Sequence, residues 1–502
     1  MIALEDPQPV QASLAELARL SGEHGVGLFV DGANYDDVAR DRDETRRQIT
    51  LSKLDKFQKL RGIPSPDQAT LVARFGAINS ENDRSDVRLL VTLDAKAVDF
   101  LITHDIGLSK RAERAGLEAS VLTVDEALQW LKQTFVAKAV VLPHVVQRKA
   151  YELDQTNSIF VSLRSDYPGF DQWFDKCRHE HRECWALEID GDIAGLLIRK
   201  DENHTQAGTL HTGPKILKVC TFKVREEFLG EKFGELLLKQ VLWHAQLNNY
   251  DLVYVTAFPK HGFLIGLLKY YGFAETKQLA SGEVMLEKVI LKGPLPALNQ
   301  AAFDFDRLHY PRFHDGAGVR KFCVPIQPGY HRKLFPEIAF GRELPLFPTK
   351  QFGPILSRGA ERTPGNTVRK VYLCRAKTTM IKPGDVLFFY MSKDESYAAT
   401  QSITTIGIAE QVINVSTVDD LVRHTAKRSV FSADELGAMN PRPSSPVKVI
   451  DFLLIGHLEP AVPLSDLLAQ GVFNNRPPQS IAELGETRYK VLKPSLHIGF
   501  DP

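Results

Sequence analysis

The stretch Lys218-Val-Cys-Thr-Phe-Lys-Val-Arg-Glu-Glu-Phe-Leu-Gly-Glu-Lys-Phe-Gly-Glu-Leu-Leu-Leu238 decides the fold of the middle of the chain. An apolar, strand-forming run enters a turn that carries Gly230 and Gly234, and a helical pattern leaves it. Such a turn presents unpaired backbone N–H groups at a helix N-terminus, where an anion gains from both the donors and the helix dipole. The stretch therefore predicts a strand–turn–helix unit suited to an anionic group.

A second strand and a short helix follow. Apolar residues at 252–258 predict the strand, and the helix ends at Tyr271-Gly-Phe273. With these elements, residues 139–291 resemble a GNAT-type N-acetyltransferase domain, including an early hairpin at 184–189 that turns at Asp190-Gly191. The resemblance implies acetyl-CoA as cofactor, held by residues of the strand and the turn: Phe222, Val224, Leu229, Gly230, Lys232, Phe233 and Gly234.

Several positions depart from the GNAT pattern. Leu229 stands where the family's pyrophosphate loop carries Gln or Arg, and Lys232 stands where it carries the first glycine of the motif. Leu268 occupies the position of the tyrosine that often protonates the departing thiolate, while Tyr270 and Tyr271 fall on other faces of the helix. Acetyl transfer and a degenerate module that serves as scaffold or sensor both stay open. The side chains considered as a general base are Glu188 and His211.

Strands alternate with helices over residues 1–138, which predicts a parallel α/β sheet. Asp105 directly follows an apolar run, at the carboxyl end of a predicted strand, where α/β sheets place ligands. Asp86 begins an apolar helical pattern, and Asp37 follows the predicted strand at 25–30. Carboxylates that converge at one sheet edge repel one another unless a cation neutralises them, and such ligands suit Mg²⁺ or Mn²⁺. Each aspartate alone also fits an ordinary helix N-cap.

The pattern resembles a PIN-domain nuclease, carried by Leu101-Ile-Thr-His-Asp105, Asp86-Val-Arg-Leu-Leu90 and Tyr35-Asp-Asp-Val-Ala-Arg-Asp41. The resemblance implies an endoribonuclease that uses Mg²⁺ or Mn²⁺. Asp37, Asp86 and Asp105 match the second, third and fourth of its four clustered acids, as catalytic and metal-binding residues. The family's first acid ends an opening strand. Either that strand is missing from the numbered chain, the preferred interpretation, or Asp31 is the first acid.

Short β runs separated by Pro and Gly fill the last region and predict a small β-barrel with helical insertions. The runs at 371–374, 381–390 and 403–410 resemble a PUA-like barrel of the ASCH or EVE kind over residues 321–502, which implies binding of RNA or a modified nucleotide. The positions assigned to the pocket rim are Tyr330, His331, Arg332 and Lys333. Residues 321–377 hold 11 Lys and Arg against 3 acids, interleaved with aromatic residues. That composition suits single-stranded RNA, or equally an aromatic core with solvated charges.

Composition limits the class of protein. With 502 residues, 43% hydrophobic and 25% charged, the chain has room for about three globular domains. Residues 292–320 begin with a Pro-containing passage and are interpreted as a linker. Five scattered cysteines argue against a disulfide framework or a zinc site. A formal net charge of zero gives no indication of a charged partner. No apolar run approaches the roughly 18 residues of a membrane span, and no signal peptide is evident, which predicts a cytoplasmic protein.

The combined prediction is a multidomain α/β and α+β protein that acts as a metal-dependent endoribonuclease effector of the toxin or defence type. The GNAT-like module would bind acetyl-CoA, and the barrel would recognise RNA, including tRNA. An antitoxin or other regulatory protein is an expected partner, and homodimer formation is left open. Two alternatives remain: an N-acetyltransferase acting on RNA or protein, and a non-catalytic RNA-binding scaffold with degraded enzyme domains.

Overall fold

The computed structural model describes residues 12–135 and 144–498, except 190, 299, 337, 339–367, 378–379, 396–399 and 429. The chain divides into two compact units. The first comprises Met1–Lys138, Leu229–Glu231 and Val415–Val447, and the second comprises Ala139–Phe228, Lys232–Asn414 and Lys448–Pro502. The amino-terminal third therefore forms one unit with a late segment of the sequence.

The first unit is mainly helical. Strand β1 (Phe29–Val30) pairs in parallel with β2 (Gln58–Lys59), and β3 (Leu101–Ile102) pairs in parallel with β4 (Val121–Leu122). Parallel pairing agrees with the predicted alternation of strands and helices, but these residues form two separate two-stranded sheets, not the single sheet predicted. The helices of this unit are Ala12–Glu23, Gly32–Ala39, Glu44–Leu54, Gln68–Phe75, Glu81–Asp94, Ile106–Arg114, Val124–Phe135, Val418–Thr425 and Ala433–Ala438.

Side-chain caps fix where many of these helices begin. Asp31, Asp43, Asp67 and Ser80 each accept a backbone N–H from the first turn of the helix that follows. The apolar faces of Glu81–Asp94 and Ile106–Arg114 then pack together with β4 in one core. These polar residues therefore set the starts of four helices.

A seven-stranded sheet forms the first half of the second unit, in the order β10-β11-β9-β8-β7-β6-β5. Its neighbours are antiparallel except β8 and β9, which are parallel and joined through the helix Phe233–Leu247. The predicted strand–turn–helix unit and the strand after it are thus confirmed. The strands are β5 (His144–Lys149), β6 (Glu183–Ile189), β7 (Asp192–Glu202), β8 (Ile216–Val224), β9 (Leu252–Ala257), β10 (Ala274–Gln278) and β11 (Val284–Val289). Helices Val161–Asp166, Phe170–His179, His204–Ala207 and Gly262–Tyr270 accompany them.

A six-stranded sheet forms the second half, in the order β13-β16-β15-β14-β12-β17. Its strands are β12 (Lys321–Ile326), β13 (Arg369–Cys374), β14 (Val386–Met391), β15 (Ser402–Val415), β16 (Val447–Pro463) and β17 (Ala482–Glu483). The closed barrel predicted here is wrong for the residues that the structure describes: β13 pairs with β16, β17 pairs with β12, and no pairing joins these two edge strands. Helices Pro328–Leu334, Leu464–Ala469 and Glu486–Leu492 complete this half. The sequence predicts helical insertions in this region, and helices Val418–Thr425 and Ala433–Ala438 lie between β15 and β16 in the chain.

One hydrophobic core runs through both halves of the second unit, from Leu237 and Val255 to Phe388 and Leu453. The segment interpreted as a linker contains the helix Ala302–His309. Buried Lys288 donates to the carbonyl oxygens of Tyr271 (2.8 Å) and Leu308 (2.5 Å), which ties this helix to the seven-stranded sheet. Among the described helices, none combines the length and apolar character needed to cross a membrane.

Candidate functional site

Three helices of the first unit bring the predicted acids near one another. Asp37 lies on Gly32–Ala39, Asp86 on Glu81–Asp94, and Asp105 is the N-cap of Ile106–Arg114. Burial, followed by the charges of Asp105 and Asp37, raises the pKa of Asp86 to about 6. The electrostatic environment of Asp86 therefore contains both other predicted acids.

Arg40, Arg111 and one backbone N–H group interact with these carboxylates. Arg40 forms an ion pair with Asp37 and also donates to Ser85 (3.1 Å), while Asp105 accepts the backbone N–H of Leu108 at 2.8 Å. Arg111 lowers the pKa of Asp86 by its charge. Across the described ranges, no group of three or more His, Cys, Asp or Glu side chains is arranged to hold a metal ion. The predicted Mg²⁺ or Mn²⁺ does not fit this arrangement.

The side chain of Asp31, the alternative first acid, is buried and hydrogen-bonded within the first unit. It is 2% exposed, and its Oδ1 accepts from the backbone N–H of Ala33 (2.8 Å) and from Arg88 Nε (2.8 Å). Thr92 donates to Oδ2 at 3.3 Å. Both oxygens therefore serve the start of one helix and its attachment to Glu81–Asp94.

The seven-stranded sheet opens between β8 and β9. The two strands pair only over residues 216–219 and 252–255, although β8 continues to Val224. Beyond that point the described residues give β8 no hydrogen-bonded neighbour on the β9 side, so the backbone of residues 220–224 presents an unpaired edge. The opening lies at the carboxyl ends of two parallel strands.

A β-bulge reverses which face of the sheet the side chains along this edge point to. Ile198 of β7 lies opposite Thr221 and Arg199 lies opposite Val219, which leaves Cys220 without a partner in the pairing. The alternation shifts by one residue as a result, so Phe222 and Val224 join Val219 against the core on the side of helix Phe233–Leu247, while Cys220 packs on the other face. Nothing in the sequence signals this bulge.

The predicted phosphate turn has left-handed backbone at two positions. Gly230 has φ +86° and Lys232 has φ +61°. Leu229 and Gly230 belong to the first unit, where a Cβ added to Gly230 would lie 2.5 Å from the carbonyl oxygen of Asp125. Lys232, Phe233 and Gly234 belong to the second unit and start the helix Phe233–Leu247, which has no side-chain cap. The first N–H groups of this helix therefore have no side-chain acceptor at the N-cap.

A cluster of charged and aromatic side chains, which we call the mouth cluster, lies where β9 ends: Asp166, Tyr167, Phe258, Lys260 and His261. Lys260 Nζ lies 2.6 Å from Asp166 Oδ1, and His261 Nε2 lies 3.9 Å from Asp166 Oδ2. The rings of Tyr167 and Phe258 are 5.3 Å apart. Sequence reasoning missed these residues, although Phe258-Pro-Lys-His261 directly follows a predicted strand end.

The two side chains considered as a general base are engaged elsewhere. Glu188 accepts two hydrogen bonds from Arg148, at 3.0 and 3.2 Å. His211 Nδ1 lies 2.8 Å from the buried carboxylate of Glu287. Both therefore have partners outside the mouth cluster.

The helix Pro328–Leu334 separates the residues predicted to form one pocket rim. Tyr330 is 42% exposed, Arg332 is exposed, and Lys333 Nζ lies 5.9 Å from the centre of the Tyr330 ring. His331 is 2% exposed and its Nε2 lies 2.7 Å from Thr404 Oγ1. His331 therefore faces the interior of the six-stranded sheet, because neighbouring helical residues point in different directions.

Parts of the chain are similar to solved acetyltransferase and ASCH structures. An IAA acetyltransferase from Bacillus cereus ATCC 14579 is 15% identical over 29% of this chain and 100% of its own, with a TM-score of 0.23. A GNAT family acetyltransferase from Elizabethkingia anophelis with acetyl-CoA bound is 14% identical over 29% of this chain and 98% of its own, with a TM-score of 0.22. ASCH from Zymomonas mobilis is 14% identical over 34% of this chain and 92% of its own, with a TM-score of 0.23. TM-scores this low establish neither fold nor function. No protein-family model and no curated protein matches the chain.

Proposed function

We propose that the second unit is an acyltransferase that takes its acyl group from acetyl-CoA bound at the opening between β8 and β9. The observation that carries the proposal is the end of strand pairing at residues 219 and 255 while β8 continues to Val224. A free strand edge in the interior of a sheet leaves backbone donors and acceptors for an extended ligand. The bulge at Cys220 turns Phe222 and Val224 toward the same side of the sheet.

The chemistry of acetyl-CoA suits these groups. Its pantetheine arm carries amides that can pair with residues 220–224 as an added strand would. Its phosphates suit the uncapped start of Phe233–Leu247, where the helix dipole and the charge of Lys232 both favour an anion. Leu268 is buried and cannot donate a proton, so the leaving thiolate does not depend on a side chain at that position.

A charge reversal at the helix start tests this function. We expect wild-type protein to bind CoA and acetyl-CoA in isothermal calorimetry, and Lys232→Glu to weaken both at least about tenfold, a change of about 1.4 kcal/mol. Lys239→Glu reverses a charge two turns along the same helix and should change the affinity less than about twofold. A wild-type protein that gives no binding heat with either ligand contradicts the proposal.

A second candidate function, RNA cleavage by the first unit, is favoured by the charges that surround Asp86. Three carboxylates in one region are an arrangement that structural packing alone does not favour, since the charges of Asp105 and Asp37 raise the pKa of Asp86. We expect the wild-type protein to cleave RNA, Asp86→Asn and Asp105→Asn to abolish the cleavage, and Asp36→Asn, on an exposed neighbouring side chain, to preserve it. Equal cleavage by all three variants rules this function out.

RNA is also the partner we propose for the six-stranded half of the second unit. Tyr330 and Arg332 are exposed on one helix, and an aromatic ring beside a cation can stack on a base and contact a phosphate. Arg332→Glu should weaken binding of single-stranded RNA in a filter assay and reduce its salt dependence. If neither the affinity for RNA nor its salt dependence changes in this variant, RNA does not bind at Arg332.

A further inference from the structure

We propose that the carboxylate of Glu235 lowers the affinity of the second unit for CoA, because it repels the phosphate groups that bind at the start of the helix Phe233–Leu247. The inference rests on the proposed binding of acetyl-CoA and adds to it a residue that limits the affinity. Glu235 is not one of the residues that the sequence predicts to hold the cofactor.

Glu235 lies in the first turn of the helix that starts at the predicted phosphate turn. It follows Gly234 directly, and the helix begins at Phe233. Each Cα–Cβ bond of a helix tilts toward the N-terminus, so the Glu235 side chain leans toward the first N–H groups. These N–H groups are the ones proposed to receive the phosphates of the cofactor.

Burial distinguishes Glu235 from an ordinary acidic residue in a first turn. Glu235 is 9% exposed, and its Oε2 has no hydrogen-bond partner among the residues that the structure describes. Water and salt around an exposed acid weaken the effect of its charge on other groups. The charge of a buried carboxylate is screened less and acts more strongly on a nearby anion.

The charge of Glu235 acts on two residues of other elements, Tyr271 and Arg369. Burial and then the charge of Glu235 raise the pKa of Tyr271. Burial disfavours the charge of Arg369, but Tyr270, Glu410 and Glu235 together raise the pKa of Arg369 well above its usual range. Arg369 Nε donates to Glu410 at 2.8 Å, so this cation is already paired with another carboxylate. The negative charge of Glu235 therefore remains beside the helix start.

The two charged side chains at this helix start act on a phosphate in opposite directions. Lys232, at the N-cap, attracts a phosphate, whereas Glu235 repels it. Glu235 and the phosphate also compete for the same stabilisation by the helix dipole. Removal of the negative charge without a change in side-chain size should therefore tighten the binding of CoA.

Isothermal calorimetry with CoA on the full-length protein tests this effect. We expect Glu235→Gln, which keeps the size of the side chain, to bind CoA at least about threefold more tightly than wild type at low salt. Glu235→Leu is also uncharged and should show the same gain, so it serves in place of Glu235→Gln if that variant does not fold.

Two control variants separate the charge of Glu235 from other effects. Glu235→Asp keeps the charge and should stay within about twofold of the wild-type affinity. Glu275→Gln removes an exposed carboxylate from β10, an edge strand of the seven-stranded sheet, and should leave the affinity unchanged.

Salt dependence distinguishes repulsion from a change in packing. The gain from Glu235→Gln should shrink when NaCl is raised from about 0.05 M to about 0.5 M, since ions screen the charges of the phosphates. A gain of the same size at both salt concentrations would identify packing as its cause and overturn the proposal.

The outcomes separate this inference from the proposed function. CoA binding by wild type, with an equal or weaker affinity in the uncharged variants, overturns the role of Glu235 and leaves the CoA site intact. Absence of CoA binding by wild type overturns the proposed function and this inference with it.

Discussion

Single residues show how far local chemistry is decided by neighbours that are distant in sequence. Asp86 lies inside the helix Glu81–Asp94, beyond its first turn, and burial and the charges of Asp105 and Asp37 raise its pKa to about 6. The convergence was predictable from the rule that ligands gather at strand ends. The ion pair of Arg40 with Asp37 was not, since nothing in the sequence pattern specifies side-chain pairing.

The environment of Asp86 makes the stability of the first unit depend on pH. In the folded state the Asp86 carboxyl group stays protonated up to about pH 6, whereas in the unfolded chain it ionises near pH 3.8. The free energy of unfolding therefore falls as pH rises through this interval and stays lower above it. Asp86→Asn removes the charge and should stabilise the unit by about 1–2 kcal/mol at pH 7.5, less than the full shift implies because solvent screens a half-buried group.

Thermal unfolding at pH 7.5 and at pH 4 measures this effect. The gain from Asp86→Asn should be present at the higher pH and nearly absent at the lower. Asp36→Asn, on an exposed side chain, should leave the melting temperature unchanged at both. A stabilisation that is the same at both pH values means that ionisation of Asp86 is not its cause.

The elements of the middle region were largely predictable, and their pairing details were not. The glycines of the turn and the apolar runs predict β8, the helix after it and β9, and these are present. The bulge at Cys220, however, depends on how β7 and β8 align, and a single sequence carries no signal for one unpaired residue. The side chains that line the opening therefore needed the structure.

Two glycines around one helix test how tightly its end is packed. Gly272 has φ +84°, and a Cβ there would lie 2.2 Å from the carbonyl oxygen of Leu308, so Gly272→Ala should destabilise the second unit by about 2–4 kcal/mol. Gly266 lies inside Gly262–Tyr270 with open space around it, and Gly266→Ala should stabilise by about 0.5–1 kcal/mol.

Urea unfolding followed by tryptophan fluorescence distinguishes the two glycines, since Trp173, Trp185 and Trp243 all lie in the second unit. The midpoint should fall for Gly272→Ala and rise slightly for Gly266→Ala. Equal midpoints for the two variants would show that the contact with Leu308 does not hold this helix end.

At the scale of the whole molecule, the two sheets of the second unit share one core, although the sequence predicts separate domains there. Arg369 of β13 donates to Glu410 of β15, and its guanidinium lies 4.6 Å from the ring of Tyr270, which ends a helix of the other half. Tyr270 in turn donates to Glu410 at 3.2 Å. Contacts between residues so far apart in sequence leave no local pattern from which they could be predicted.

The shared core predicts that both halves lose stability together. Arg369→Leu removes the cation from a mostly buried Glu410 and should cost about 3–5 kcal/mol, and the double variant with Glu410→Leu should recover much of that loss. Hydrogen exchange should accelerate in β9 as well as in β14. Acceleration confined to β14 would contradict a single cooperative unit.

The placement of Val415–Val447 in the first unit has a consequence for protein synthesis. Arg423 donates to Asp99 at 2.6 Å and Lys427 to the carbonyl oxygen of Glu118 at 2.7 Å, so helices encoded late secure a body encoded first. A ribosome that has translated only the amino-terminal third has produced an unfinished unit. The helices Val418–Thr425 and Ala433–Ala438 are synthesised only after most of the chain. The region around Asp37, Asp86 and Asp105 therefore reaches its final structure only when nearly the whole polypeptide has been made.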